Sequence, residues 1–352
     1  MANGRIDTRT PRRRTDARRD ETAKGEERSS GRITRSGHDY CNEKGVFRLP
    51  PREATEPHPR SNPGLSVATC SRNSVTAMRP PVPFAPLAAS LLLSVSPGAC
   101  GVEFISHRGE SLDAPENTLA AFQLAWERGA DSIELDIHLS ADQRVVVCHD
   151  ATVKRTTGAE GKIREMTFAE IRKLDAGSFK KTDFAGEPIP ELSMVLEKMP
   201  RGRCFIEIKS GEDVVPALVQ TLRKSSVPRE QLVLISFHPK ALRKAHELLP
   251  DLKTYLISST SLNPETGEMK PALDALIASA RQNGFSGLDL GFSGALTSEA
   301  VQKIKAAGLE CYVWTVNKTE AAREAVRLGV DGITSDRAAA LKKELLDPSA
   351  SR

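Results

Sequence analysis

The sequence predicts an α/β protein of the (β/α)8 TIM-type barrel class, with a β-hairpin after strand 2 and a small insertion before strand 3. Three observations carry this expectation. Between residues 102 and 345, eight short apolar runs recur, separated by stretches with helical periodicity, and strands alternating with amphipathic helices build parallel sheets. Eight such units over about 240 residues match the size of a closed barrel. No glycine-rich phosphate loop follows the first run, which weighs against an open doubly wound sheet.

The elements follow in order. A strand over 104–107 precedes a helix opened by Pro115, Glu116, Asn117 and Thr118. Its apolar face is Leu119, Phe122, Ala125 and Trp126, and Gly129 is its stop. The second strand, 132–137, is followed after Ala141, Asp142, Gln143 and Arg144 by another apolar run, 145–149. So short a connection cannot make a parallel crossover, so this run returns as a hairpin partner. The insertion, 151–200, carries helices near 167–174 and 192–199 and leads to the third strand, 204–209. Strands over 232–237, 254–258, 287–290, 312–316 and 332–335 then alternate with helices over 216–224, 239–249, 271–282, 298–307 and 319–328.

The 352 residues, 39% hydrophobic and 27% charged, exclude collagen-like, disulfide-scaffold and multi-span membrane classes. The net charge of +4 sits in the first 40 residues, where 11 Lys and Arg face 7 Asp and Glu; the remainder is neutral in sum. A nucleic-acid-binding domain carries its basic excess on a folded face, so no nucleic-acid partner is expected. Residues 1–77 form an Arg-rich tail whose first 60 residues hold almost no large apolar side chain, and disorder is expected there. Residues 78–101 have the shape of a signal peptide: Arg79, an apolar run over 84–95, then Ser96, Pro97, Gly98, Ala99 and Cys100. The run is shorter than the ~20 apolar residues that cross a bilayer, so no stable membrane insertion is expected. We expect translation to begin at Met78, giving a secreted or periplasmic protein; a start at Met1 implies a cytoplasmic one. A short disordered tail is expected over 346–352. Cys148, Cys204 and Cys311 lie in apolar runs and read as buried thiols, not as a disulfide framework or a zinc site.

In a barrel, chemistry sits where strands end, and polar residues concentrate there. The first strand ends in His107, Arg108 and Gly109; the second carries Glu134 and Asp136; the hairpin return ends in His149 and Asp150; the third carries Glu207 and Lys209. Residues two apart on a strand share a face, so each carboxylate pair or carboxylate–lysine pair points one way. Three carboxylates from neighbouring strands, in runs otherwise made of Ile, Leu and Phe, make a hard oxygen cage suited to Ca2+ or Mg2+. The competing account of any one of them is an internal salt bridge, for instance Glu207 to Lys209 or Arg108. His107 and His149 beside the cage suit acid–base work near neutral pH, and the Arg108 fork suits a phosphate. His138, two residues beyond Asp136, is expected at the rim.

These residues resemble the glycerophosphodiester phosphodiesterase family of the phospholipase-C-like phosphodiesterases. The resemblance runs through His107, Arg108, Gly109; Pro115, Glu116, Asn117, Thr118; Gly129, Ala130, Asp131; Glu134, Leu135, Asp136; and His149, Asp150. It continues through Thr156, Thr157, Gly158; Ile189, Pro190, Leu192; Glu207, Ile208, Lys209; Ser236, Phe237; Val313, Trp314, Thr315, Val316, Asn317; and Gly332, Ile333, Thr334, Ser335, Asp336, so that residues 102–343 match in order. It implies hydrolysis of a small-molecule glycerophosphodiester to glycerol 3-phosphate and an alcohol. It further implies a divalent cation, Ca2+ or Mg2+, on Glu134, Asp136 and Glu207; catalytic histidines at His107 and His149; Arg108 and Lys209 on the phosphate; and Trp314 in the pocket. Phe237 is expected beside Trp314 as an apolar wall. Glu110, Ser111, Leu112 and Asp113 stand where relatives often have a small residue, which bears on substrate fit. Two rival readings remain: a phospholipase-type enzyme acting on intact lipids, which needs an apolar rim where the loops 154–162 and 258–270 are polar, and a non-catalytic phosphoester-binding protein, which usually lacks one of these groups.

Overall fold

The structure, a computed structural model, describes residues 101–346. The expected tail, the signal-like segment up to residue 100, the start at Met78 and residues 347–352 lie outside the described residues.

Eight parallel strands close on themselves: β1 (Glu103–Ser106), β2 (Ser132–Leu139), β4 (Arg203–Ile208), β5 (Leu232–Ser236), β6 (Lys253–Ser258), β9 (Gly287–Gly291), β10 (Glu310–Trp314) and β11 (Gly332–Ser335). Closure is made at β1, which pairs with β11 on one side and with β2 on the other. The expected hairpin return, β3 (Val145–Val147), pairs antiparallel with β2 through Ile137↔Val147, His138↔Val146 and Leu139↔Val145. This pairing carries β2 two residues further than its apolar run.

The helices stand outside the barrel: α1 (Leu119–Arg128), α5 (Val215–Lys224), α6 (Pro239–Leu248), α7 (Leu273–Gln282), α8 (Ser298–Ala306) and α9 (Thr319–Leu328). In α1 the Thr118 hydroxyl accepts from the Ala121 N–H, and Gly129, in the left-handed region at φ 89°, closes the helix by donating to the Ala125 and Trp126 carbonyls. One further helix, α10 (Ala338–Leu346), occupies what was expected to be the end of the barrel and the start of a tail. Its run of alanines carries weak amphipathic contrast, yet Ala338, Ala339 and Leu341 are buried.

The segment between β3 and β4 divides in two. Its first part, with α2 (Lys154–Thr157) and α3 (Phe168–Ile171), surrounds a separate apolar cluster of Val146, Cys148, Val153, Ile163, Ile171, Ala176 and Ile189. Its last helix, α4 (Leu192–Glu197), buries Leu192, Val195 and Leu196 in the main core between strands and helices. The loop after β6 holds a small hairpin, β7 (Ser261–Leu262) with β8 (Met269–Lys270). Cys148, Cys204 and Cys311 are free and buried, and among the described residues no helix is long and apolar enough to cross a membrane.

Strand alternation sorts the side chains. Ile133, Leu135 and Ile137 face the helices while Glu134 and Asp136 face inward. The barrel interior is filled by Ile105, Phe205, Val233, Ile235, Tyr255, Ile257 and Tyr312. Below them the N-terminal end is sealed by charge: Arg203 donates to Glu103 (3.0 Å) and to the Tyr312 hydroxyl (2.5 Å), and Tyr255 donates to Glu310. Tyr312 stacks on Tyr255 at 4.8 Å and packs on Phe205 at 5.5 Å. It fits because Gly332, its register partner on β11, has no side chain. A Cβ on Gly332 would lie 2.3 Å from the Tyr312 ring. Gly332→Ala is therefore expected to destabilise the barrel by about 1–3 kcal/mol, as overpacking of a filled core does. Thermal unfolding followed by circular dichroism checks this, and an unchanged Tm would mean that Tyr312 can step aside.

Candidate active site

The C-terminal ends of the strands open into a cavity of about 210 Å3 lined by His107, Arg108, Glu134, His149, Glu207, Lys209, Ile235, Phe237, Ile257, Asp289, Trp314, Thr315 and Thr334. All nine residues singled out in the sequence meet here, eight on the lining and Asp136 directly beneath Arg108 and Lys209.

Glu134 and Asp136 on β2 and Glu207 on β4 are buried, and each offers an oxygen within 4.8 Å of the others. Register explains the meeting, since Asp136 pairs with Glu207 across the β2–β4 ladder. Cations answer part of this charge: Arg108 Nε stands 3.4 Å from Asp136, while Lys209 Nζ stands 3.6 Å from Asp136 and 3.0 Å from Glu207. Asn117 Nδ2 donates to Asp136 at 2.8 Å, and the Arg108 backbone N–H donates to Glu134 at 2.9 Å. The salt-bridge account is thus partly realised, yet among the described residues it leaves Glu134 Oε1 and Asp136 Oδ1 buried without a hydrogen-bond partner, Asp136 Oδ1 having only the 3.6 Å contact to Lys209 Nζ. Unsatisfied buried carboxylate oxygens are costly. Three hard oxygen donors with two orphaned atoms fit a divalent cation, and their all-oxygen character suits Ca2+ or Mg2+.

Titration follows the same balance. Burial, then the charges of Asp136 and Glu207, hold Glu134 well above the usual carboxylate range. Burial, with the Asp136 charge next, pushes Glu207 up to about 7. Asp136 goes the other way, because Arg108 and Lys209 outweigh its own burial.

Both histidines are held at Nδ1 by a carboxylate. His107 pairs with Asp336 at 2.7 Å and His149 with Asp150 at 2.7 Å. A carboxylate accepts only, so Nδ1 is the donor and Nε2 is left for the cavity. Burial holds His149 below the ordinary imidazole value against the pull of Asp136 and Asp150. Asp336 also accepts from Ser111 Oγ (3.1 Å) and Asn317 Nδ2 (2.6 Å). Burial raises its pKa, but these donors and His107 bring it down to about 2. Asp150 is lowered to about 2, chiefly by Arg155. That arginine, on α2, donates to Asp150 (2.8 and 3.2 Å) and to Glu116 (2.8 and 2.8 Å), and Glu116 in turn accepts from Arg108 at 3.0 Å.

Several placements differ from expectation. His138 is not a rim residue: β3 covers it, it is buried, and its Nε2 faces the His149 carbonyl at 3.1 Å. Phe237 stands beside Trp314, edge-on at 5.5 Å with Lys209 Nζ 5.9 Å from its ring centroid, but at 40% exposed it is more open to solvent than an enclosed wall. Glu110 and Asp113 turn away from the cavity, to Ser106 (2.7 Å) and Arg128 respectively. The supporting roles of Asp336, Asn117 and Glu116 had no local signal, because each depends on partners brought together by the fold; Asp150 and Arg155 lie within six residues of His149. Asp289 was missed altogether; it stands in a short strand, Gly-Leu-Asp-Leu-Gly, with no motif around it.

The model of the glycerophosphoryl diester phosphodiesterase family matches residues 107–340. This chain belongs to that family. It is 38% identical over 237 residues to a glycerophosphodiester phosphodiesterase of Caldanaerobacter subterraneus subsp. tengcongensis, covering 66% of this chain and 93% of that protein. A glycerophosphodiester phosphodiesterase of Bacillus subtilis is 30% identical over 248 residues, covering 65% and 81%. Among solved structures, an Oleispira antarctica phosphodiesterase in complex with the product sn-glycerol-3-phosphate superposes with a TM-score of 0.63 at 29% identity, covering 70% of this chain and 97% of that one. A glycerophosphodiester phosphodiesterase from Agrobacterium tumefaciens gives 0.57 at 28% identity, covering 68% and 99%. The glycerophosphodiester phosphodiesterase barrel thus accounts for the described residues of the chain.

The Asp336 cluster yields a pH-dependent expectation. A carboxylate depressed in the folded state contributes stability above its unfolded pKa, about 3.9, that is lost as pH falls through its folded value. Asp336→Asn should lower stability by about 1–3 kcal/mol at pH 7. In denaturant titrations the gap between wild type and variant should close as pH falls from about 4 to about 2; a gap independent of pH would rule out the ionised carboxylate as its source.

Proposed function

We propose that this glycerophosphodiester phosphodiesterase is a divalent-cation-dependent enzyme in which His107 and His149 form the acid–base pair. The observation that carries the reading is the meeting, in one cavity, of three buried carboxylates with two orphaned oxygens and two carboxylate-held histidines. The reaction is hydrolysis of a glycerophosphodiester to sn-glycerol 3-phosphate and an alcohol, as the family membership supports.

A cation held by Glu134, Asp136 and Glu207 would supply Lewis-acid polarisation of the phosphoryl oxygens. Arg108 and Lys209 add positive charge beside it and bind the remaining phosphate oxygens. Glu116, Asp136 and Glu207 keep both cations in place before substrate arrives. One histidine takes the proton from the nucleophile, which is water or the neighbouring glycerol hydroxyl acting through a cyclic phosphate. The other returns a proton to the departing alcohol oxygen. Both work through Nε2, because Asp336 and Asp150 hold Nδ1. Trp314 and Phe237 wall the organic part of the substrate. Arg155 ties the partner of His149 to the partner of Arg108, so it acts as a positioning residue for both.

A second reading, a phosphodiesterase acting on acylated lipid, has one observation in its favour. Leu112, Phe237 and Leu262 are exposed on the loops after β1, β5 and β6, the last within a loop that is otherwise polar.

The test is release of sn-glycerol 3-phosphate from glycerophosphocholine by the full chain, with Ca2+, with Mg2+ and with chelator. Release is expected with a cation and not with chelator, and His107→Ala and His149→Ala should each lower kcat by about 10²–10⁴. Activity insensitive to chelator, or surviving both substitutions, contradicts the mechanism. Faster cleavage of lysophosphatidylcholine than of glycerophosphocholine would favour the lipid reading.

Arg155→Gln should lower activity about 10- to 100-fold, as removal of an outer orienting partner does at such sites. It should also move the pH profile of kcat/KM upward, because an Asp150 freed of its arginine pulls harder on the His149 proton. A reduced rate with an unmoved profile would reduce Arg155 to a structural tie.

A further inference from the structure

One carboxyl on the cavity lining has no part in that mechanism. Asp289 points inward from β9, with Ile257 of β6 and Tyr312 of β10 as its register partners. It is 3% exposed, lines the cavity, and its Oδ1 has no hydrogen-bond partner among the described residues. The packing duty of β9 falls on Leu288 and Leu290, which face the helices, so the fold has no use for a carboxyl at this point. Asp289 also stands outside the group of three carboxylates that could share an ion. A buried polar atom left unpaired calls for a partner that arrives later.

The surroundings define that partner. The charged side of the cavity is built by β1, β2, the β3 return and β4, which bring His107, Arg108, Glu134, His149, Glu207 and Lys209. The opposite side is Ile235, Phe237, Ile257, Trp314, Thr315 and Thr334, and Asp289 is its one carboxyl. The Trp314 indole N–H donates to the Asp289 backbone carbonyl at 3.2 Å, which fixes the two residues against each other. A phosphodiester whose phosphate lies at Arg108 and Lys209 sends its organic arm toward this side.

We propose that Asp289 hydrogen-bonds a hydroxyl of the substrate's glycerol arm and so selects polyol phosphodiesters over alkyl ones. The inference rests on the glycerophosphodiester reading above and names the residue that reads the glycerol. Burial, with the Glu207 charge second, pushes the Asp289 pKa up to about 8. A carboxyl biased toward its protonated form can donate to a hydroxyl as well as accept from it, and it repels a phosphate less than a free carboxylate does. A site built to hydrogen-bond a substrate hydroxyl rejects the analogue that lacks it far better than an apolar pocket can.

The experiment compares binding of sn-glycerol 3-phosphate and n-propyl phosphate by titration calorimetry at pH 7 with Mg2+ present. Wild type should bind the glycerol compound about 10- to 100-fold more tightly, the range expected for one well-made buried hydrogen bond. Asp289→Leu should bring the two affinities to within about threefold of each other, while Asp289→Asn keeps most of the preference because an amide still donates and accepts. A wild-type ratio near one, or a Leu variant that keeps the wild-type ratio, overturns the proposal. Thermal unfolding runs alongside, and Leu in place of an unpaired buried carboxyl should leave Tm at or above wild type. Should the Leu variant fail to fold, Asp289→Ala replaces it under the same criterion. Turnover of glycerophosphocholine is measured separately: discrimination in binding without cleavage contradicts the hydrolytic reading and supports Asp289, and cleavage without discrimination does the reverse.

Discussion

Asp136 is the charge on which the site is balanced. It is fully buried, flanked by Glu134 two residues back and by Glu207 across the ladder, and two neighbouring carboxylates would drive any ordinary aspartate to keep its proton. It stays ionised because Arg108, Lys209 and Asn117 all reach it. The same contacts fix those groups: Arg108 and Lys209 flank one carboxylate, and so converge on one point of the cavity from β1 and β4. A single buried anion thus sets the positions of Arg108 and Lys209, the cations proposed to bind the phosphate, and the two glutamates beside it have raised pKa values.

The barrel makes this affordable by separating duties between its ends. At the N-terminal end Glu103, Arg203, Glu310 and the hydroxyls of Tyr255 and Tyr312 satisfy one another. At the C-terminal end, Glu134, Asp136 and Asp289 are each left with an unpaired oxygen. Between them lies a layer of buried, mutually packed rings, Phe205, Tyr255 and Tyr312. Three carboxyl oxygens without a hydrogen-bond partner around one cavity, over a packed floor, are what a binding site requires and what a purely structural barrel would avoid.

Much of this was legible in the chain. Period-two alternation with charges placed among Ile, Leu and Phe put Glu134 with Asp136, and Glu207 with Lys209, on shared faces, and the short link after β2 dictated the hairpin that delivers His149. What could not be read is whatever depends on distance along the chain. His107 and its partner Asp336 are 229 residues apart, joined only because β1 lies beside β11. His138 shares the inward parity of Asp136, which suggests a rim position, but its environment is decided by β3 folding back over it. Asp289 gave no signal since a single acid in a short expected strand, with no second charge two residues away, has no marked face until the register places Ile257 and Tyr312 on either side. Helix α10 was hidden for a different reason: a run of alanines packs by smallness, which leaves weak periodicity to detect.

The two walls of the cavity also depend on each other. In the proposed reaction Arg108 and Lys209 act on a phosphate through charge, and charge acts strongly only where water is scarce. Ile235, Ile257 and Trp314 supply no chemistry, but they exclude water from the far side, and Phe237, edge-on to Trp314 and near Lys209, extends that shelter to the lysine head. The apolar wall therefore strengthens the electrostatics opposite to it. It also fixes the cost of anything polar placed within it, so a carboxyl at Asp289 survives there only if the occupied site repays its desolvation. By this reasoning the wall and the charges are one device, in which the dry side sets both the strength of phosphate binding and the stringency with which the rest of the substrate is read.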